Sequence, residues 1–146
     1  MTKPWNLALP HGGESSDQRS GQGVVILLLD DNDLVLAVVT KVIERLGHRV
    51  YPVAALSEAR ALLDQGEKID LVVTDVLLNG AETGIDLAND LWEVCPDFPV
   101  LFLTGLTCKE VYAKAIKGRN VLWLAKPASK DALGEAIQQL SQANRG

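Results

Sequence analysis

The stretch that decides the fold is VVILLLDDNDLVLAVV, residues 24–39. Val24 to Leu29 are all apolar, and Asp30-Asp31-Asn32-Asp33 follow with no spacer before apolar residues resume. A short continuous apolar run of this kind reads as a fully buried strand. Burial ordinarily keeps charge at a distance, because an unpaired buried carboxylate is costly. Three carboxylates within four positions, hard against such a strand, therefore call for a purpose other than core packing.

Working outward, β-branched and apolar runs at 24–29, 49–53, 69–74, 99–103 and 121–125 predict strands. Helical patterns fall between and after them, at 34–46, 57–65, 85–94, 108–117 and 129–142. Gly47, Gly66 and Gly118 stand where left-handed helix ends are wanted. Ser57 and Ser129 are expected N-caps, and Thr107-Cys108-Lys109-Glu110 has the pattern of a capping box. Near-continuous apolar strands alternating with helices imply an α/β fold, a doubly wound five-stranded parallel sheet with helices on both faces. Residues 24–142 are read as one domain, 1–23 as a flexible N-terminal tail or linker, and 143–146 as a C-terminal tail. The segment HGGESSDQRSGQG (11–23) supports the linker reading, and its glycines match no phosphate-binding spacing.

Composition narrows the function classes. In 146 residues, 47% are apolar and 23% charged, which is globular rather than disordered. The net charge of −5 argues against direct nucleic-acid binding, which needs a basic surface. No apolar run approaches the roughly 20 residues of a membrane helix, and the N-terminus lacks a signal-peptide pattern. The expected location is the cytoplasm. Cys95 and Cys108 have no CxxC or metal spacing and read as reduced thiols; His11 and His48 are assigned to structure or solvent.

In doubly wound sheets, ligands bind outside the carboxyl ends of the strands. The first predicted strand delivers Asp30-Asp31 there, the third Asp75, the fourth Thr104 and the fifth Lys126-Pro127. Crowded carboxylates repel by about 4 kcal/mol per pair at 4 Å and an effective dielectric of 20. Either one acid stays protonated or a cation is bound. A hard divalent ion with oxygen ligands suits the second outcome, which is the favoured one, and Mg²⁺ typically takes one or two carboxylates.

LLLDDND (27–33), TDVLLNGAETGIDL (74–87), LFLTG (101–105) and LWLAKP (122–127) together resemble the receiver domain of two-component response regulators. The resemblance implies a flavodoxin-like sheet of order 2-1-3-4-5. It implies that Asp75 accepts a phosphoryl group from the histidine of a sensor kinase or phosphotransfer protein. Mg²⁺ would be held by Asp31, Asp30, Asp75 and the backbone carbonyl of Leu77, with Asp30 acting through water. Lys126 would pair with the phosphoryl oxygens and Thr104 would hydrogen-bond one of them. Lys126-Pro127 matches the family's cis peptide. Trp123 matches its switch aromatic: Thr104 moves, Trp123 turns inward, and the face made by 108–117, 121–125 and 129–142 repacks to control a downstream protein or a homodimer.

Some positions depart from the family pattern. Asn79 stands where proline is usual, Gly105 where alanine is commoner, and the loop before Gly84 is long, as in receivers attached to hybrid sensor kinases. Leu77 and Leu106, each two positions after a site residue, are expected to shield an acyl phosphate from water. Along the first helix, Val35, Val39, Val42 and Leu46 form the expected core stripe, leaving Leu36 and Val38 for a partner. WNLALP (5–10) faintly resembles the closing strand of a kinase ATP-binding domain, so the terminal receiver of a hybrid kinase stays open. A phosphorylation-independent pseudo-receiver is a further alternative, which the intact set of site residues opposes. A Mg²⁺ phosphatase is another, although Asp31-Asn32-Asp33 fits its D-x-D loop only by coincidence.

Overall fold

The computed structural model describes residues 4–7, 23–78, 83–105, 116 and 118–143. In chain order its elements are β1 (Asn6–Leu7), β2 (Val25–Leu29), α1 (Asp33–Arg45), β3 (Arg49–Val53), α2 (Leu56–Asp64), β4 (Lys68–Ile69), β5 (Leu71–Asp75), α3 (Gly84–Val94), β6 (Val100–Thr104), β7 (Val121–Ala125) and α4 (Lys130–Ala143). The expected helix at 108–117, with its Thr107–Glu110 capping box, lies outside the described residues apart from Ile116.

Strand β2 shows why its sequence has no polar alternation. Ile26 and Leu28 pack on one side of the sheet with Ile43 of α1 and Leu133, Ile137 and Leu140 of α4. Leu27 and Leu29 pack on the other with Leu56 and Leu63 of α2 and Leu87 and Leu91 of α3. Successive side chains of a strand point to opposite faces, so a strand covered on both must be apolar throughout. Each such leucine or isoleucine, fully buried, contributes about 1.5–3 kcal/mol. All five strands of the main sheet are parallel, in the order β3-β2-β5-β6-β7, which is the expected order.

Helix ends are set locally. The Asn32 side chain accepts from the Val35 N–H at 3.0 Å and starts α1. Thr83 and Asp86 form a capping box at the start of α3, and Ser129 accepts from the Ala132 N–H at 3.0 Å, as expected. Gly47, Gly66 and Gly118 have φ of 99°, 86° and 89°, where a side chain would be strained. Ser57 is not a cap. It lies inside α2, which begins one residue earlier, and the Glu58 carboxylate instead accepts the Ala54 N–H at 2.8 Å.

Three further expectations need correction. The third predicted strand is broken at Asp70, whose own N–H donates to the Val25 carbonyl while its carboxylate accepts the Val25 N–H, both at 2.8 Å. The two residues before it, Lys68 and Ile69, pair elsewhere, with β1. Residues 4–7 are thus not part of a free lead: Trp5 is buried, and Asn6–Leu7 is a strand. On α1, Leu36 packs against the core beside Val39, Val42 and Leu46. The large apolar side chains of that helix that stand exposed are Leu34 and Val38, 73% and 53% exposed. Leu36 sits three residues from Val39 and seven from Ile43, on the covered side of a 3.6-residue turn.

Candidate functional site

Parallel pairing aligns the carboxyl ends of β2, β5, β6 and β7, and the chain places its chemistry there. Asp30 leaves the end of β2 and is 1% exposed. Its Oδ1 accepts the Asn32 N–H at 2.9 Å, and its own N–H donates to the Val53 carbonyl at 3.2 Å, which fixes it beside the sheet. Asp75 is the last residue of β5. The Leu77 N–H donates to its Oδ1 at 3.4 Å. Asp30, Asp31 and Asp75 each offer a carboxylate oxygen, and these lie within 4.8 Å of one another.

Lys126 reaches into this group from the turn after β7. Its Nζ stands 2.8 Å from Asp30 Oδ2 and 2.9 Å from Asp75 Oδ2. Its backbone N–H donates to the Thr104 carbonyl at 2.9 Å, tying the turn to the end of β6. The Lys126–Pro127 peptide is cis, as the sequence suggested.

One ammonium is shared between two carboxylates, and the third, Asp31, stands close by. Burial pushes the Asp75 carboxyl above its ordinary value; the Asp30 charge adds to this, while Lys126 and the Leu77 N–H oppose it without cancelling it. Burial also pulls the Lys126 ammonium down, yet Asp30 and Asp75 together outweigh that and hold it above its ordinary value. The same pair thus leaves the lysine firmly charged and Asp75 still short of positive charge. A pocket with that deficit, lined by hard oxygen donors, fits a divalent cation.

The remaining expected residues surround this core. Thr104 ends β6, is buried, and lies one position beyond Leu103, the partner of Asp75 across the sheet. Leu77 is 49% exposed beside Asp75. Trp123 is half-buried on β7, opposite Phe102, and the two rings stack with centroids 4.7 Å apart at 26°. Asn79 and Leu106 lie outside the described residues.

Sequence reasoning missed the supports of the site. Gly84 opens α3 directly against β5, where a Cβ would collide with the Asp75 carbonyl oxygen, and its N–H donates to the Val76 carbonyl at 2.7 Å. A lone glycine after a polar loop signals a turn but not which backbone it touches. The Leu77 and Asn32 amides that hold the two carboxylates carry no signal, since backbone donors look alike in any sequence.

The sequence profile of the response regulator receiver domain matches residues 26–138. The chain belongs to the response regulator receiver domain family. This receiver is similar to the crystal structure of a response regulator receiver protein from Sinorhizobium medicae, with a TM-score of 0.76 and 27% identity over 86% of this chain and all of that one. It is 30% identical over 116 residues to the response regulator receiver protein CpdR of Brucella abortus, covering 80% of this chain and 94% of that protein. It is 27% identical over 115 residues to the phyllosphere-induced regulator PhyR of Methylorubrum extorquens, covering 78% of this chain and 42% of that protein. The receiver spans 42%, 24% and 26% of the length of three curated regulators that it matches.

The Asp30/Asp31/Asp75 cluster is the phosphoacceptor-site pattern of this family, in which phosphorylation mediates a conformational switch. Receivers are not conventional enzymes; they carry out their own phosphoryl acceptance and loss through that cluster. Family membership also makes a histidine kinase or phosphotransfer protein the class of partner. Among the described residues, no helix is long and apolar enough to cross a membrane.

Proposed function

We propose that Asp75 is the phosphorylated residue of this receiver and that Asp30, Asp31, Thr104 and Lys126 serve its phosphorylation. The observation that carries this reading is that Lys126 Nζ stands within 2.9 Å of both Asp30 and Asp75, in a cluster that also holds Asp31. An Asp75 carboxylate oxygen attacks the phosphorus of a phosphohistidine. The P–O bond forms as the P–N bond breaks, and the histidine nitrogen leaves with the electron pair and takes up a proton. Lys126 stays protonated throughout and pairs with the phosphoryl oxygens as negative charge gathers on them. The Thr104 hydroxyl donates to one of those oxygens.

Asp30, Asp31, Asp75 and the Leu77 carbonyl would hold Mg²⁺, which when bound supplies further positive charge to the phosphoryl oxygens. The donor set supports that ion: hard oxygens only, with one ammonium against three carboxylates.

Leu34 and Val38, exposed on the first half of α1, and Leu77, exposed beside Asp75, are the proposed contacts of the phosphodonor protein. Thr104 and Trp123 are the proposed switch pair. Support comes from the shared sheet, in which Trp123 pairs with Phe102, two residues before Thr104. The output is control of a partner protein, or a homodimer through the face of β7 and α4. The proposed setting is the cytoplasm, where thiols such as the free Cys95 stay reduced.

Incubation with Mg²⁺ and acetyl phosphate tests the core of this reading. Wild-type chain gains the mass of one phosphoryl group and Asp75→Asn gains none. An unlabelled wild type, or equal labelling of both, overturns it.

A further inference from the structure

We propose that the groove between α2 and β4 is a peptide-docking site that reads an extended tryptophan–polar–leucine segment, and that residues 4–7 of this chain occupy it in cis. Trp5 is 8% exposed and belongs to the same apolar cluster as Leu63 of α2 and Ile69 of β4. Its indole Nε1–H donates to Asp64 Oδ1 at 2.8 Å. Asn6 and Leu7 pair in parallel with Lys68 and Ile69, and the Asn6 side chain donates to the Gly66 carbonyl at 3.3 Å. Leu7 packs on the cluster while Asn6 is exposed. Residues two apart on a strand share a face, so Trp5 and Leu7 enter the groove together and Asn6 faces out. This is strand addition: backbone pairing supplies the register and alternate side chains supply the selection.

Asp64 is the selecting group. It ends α2, where the helix dipole disfavours a carboxylate, and α2 has no basic residue in its last turn. A buried indole N–H requires an acceptor, and Asp64 is placed to be one. The groove lies at the amino-terminal end of the sheet, roughly 20 Å along the strand direction from Asp75, so its occupant leaves the acid pocket open. The segment is held over few residues, by two strand pairs, the Trp5 indole bond and the Asn6–Gly66 bond, so docking is weak by itself. Tethering through residues 8–22 makes it intramolecular, with an effective concentration of about 1 mM.

The test titrates the peptide MTKPWNLALP, residues 1–10, into full-length wild type and full-length Trp5→Ala by calorimetry. Trp5→Ala should bind it at least about tenfold more tightly than wild type, whose groove is filled by its own tethered segment. Adding Asp64→Ala should weaken that binding about tenfold. Equal binding to the two chains, or none to Trp5→Ala at millimolar peptide, overturns the proposal. A concentration-dependent dimer of wild type that Trp5→Ala abolishes also overturns it, because the occupant is then a second copy. Hydrogen exchange of the Trp5 indole in wild type needs no variant: slowing of about tenfold or more against the free peptide supports docking, and equal rates overturn it. Labelling of Trp5→Ala by acetyl phosphate should match wild type, which separates this proposal from the reading of Asp75.

Discussion

Lys126 and Asp30, 96 positions apart in the chain, meet at 2.8 Å, and the aspartate is only 1% exposed. Removing the ammonium strands a buried carboxylate whose other hydrogen bond is to the Asn32 N–H. Lys126→Ala in the absence of divalent metal should therefore lose about 3 kcal/mol of unfolding free energy, the low end for a broken buried pair because the lysine is 22% exposed. Urea unfolding measures this. Saturating Mg²⁺ should recover part of the loss, since a cation in the pocket takes over the charge compensation.

Asp75 behaves in the opposite way. Burial and the Asp30 charge raise its folded value above 3.8, so ionisation costs the fold stability as pH rises through 3.8 towards that raised value. At neutral pH without metal, Asp75→Asn should melt a few degrees higher than wild type. Mg²⁺ at a hundred times its Kd should stabilise wild type by about 2.7 kcal/mol and the Asp75→Asn and Asp31→Asn variants much less. Scanning calorimetry with and without the ion checks both statements.

His48 links stability to mild acid. Its Nδ1 accepts the Val24 N–H at 3.0 Å, which requires the neutral ring, and burial lowers its folded value below 6.5. The unfolded chain therefore binds the proton more readily. The contribution is whole above pH 6.5 and is lost as pH falls below it towards the lowered folded value. His48→Gln should flatten the wild-type decline in unfolding free energy over that range. Parallel pH profiles for the two proteins rule the linkage out.

The Phe102–Trp123 stack separates packing from acceptance. Trp123→Ala should cost about 2 kcal/mol for the lost stack and half-buried ring. Labelling by acetyl phosphate should continue, because no Trp123 atom belongs to the acid cluster. If Trp123 is the switch, beryllium fluoride with Mg²⁺ should change the fluorescence of wild type and not that of Trp123→Phe.

Leu77 is 49% exposed and lies two residues after Asp75, and its proposed role is to keep water from an acyl phosphate. Replacing Leu77 and Leu106 with Asn should shorten the lifetime of the phosphorylated state severalfold, by timed loss of the label. An unchanged lifetime removes the shielding idea.

Local pattern sufficed for much of this receiver. Continuous apolar runs such as Val25–Leu29 and Val100–Leu103 are covered on both faces, and such strands alternating with helices determined a parallel two-faced sheet and, with it, the edge that gathers Asp30, Asp31, Asp75, Thr104 and Lys126. Glycines at 47, 66 and 118 and Ser129 were equally legible, because turn and cap chemistry is settled within a few residues. Tertiary structure alone decided the rest. Which carboxylates share Lys126, and that Asp75 is left short of positive charge, depend on how four strand ends converge and on how deeply each group is buried. That Trp5 docks on Asp64, that Gly84 clears the Asp75 carbonyl, and that Leu36 rather than Leu34 is covered on α1 all rest on contacts between distant segments. Periodicity shows that a residue faces inward or outward; it carries no term for what stands opposite.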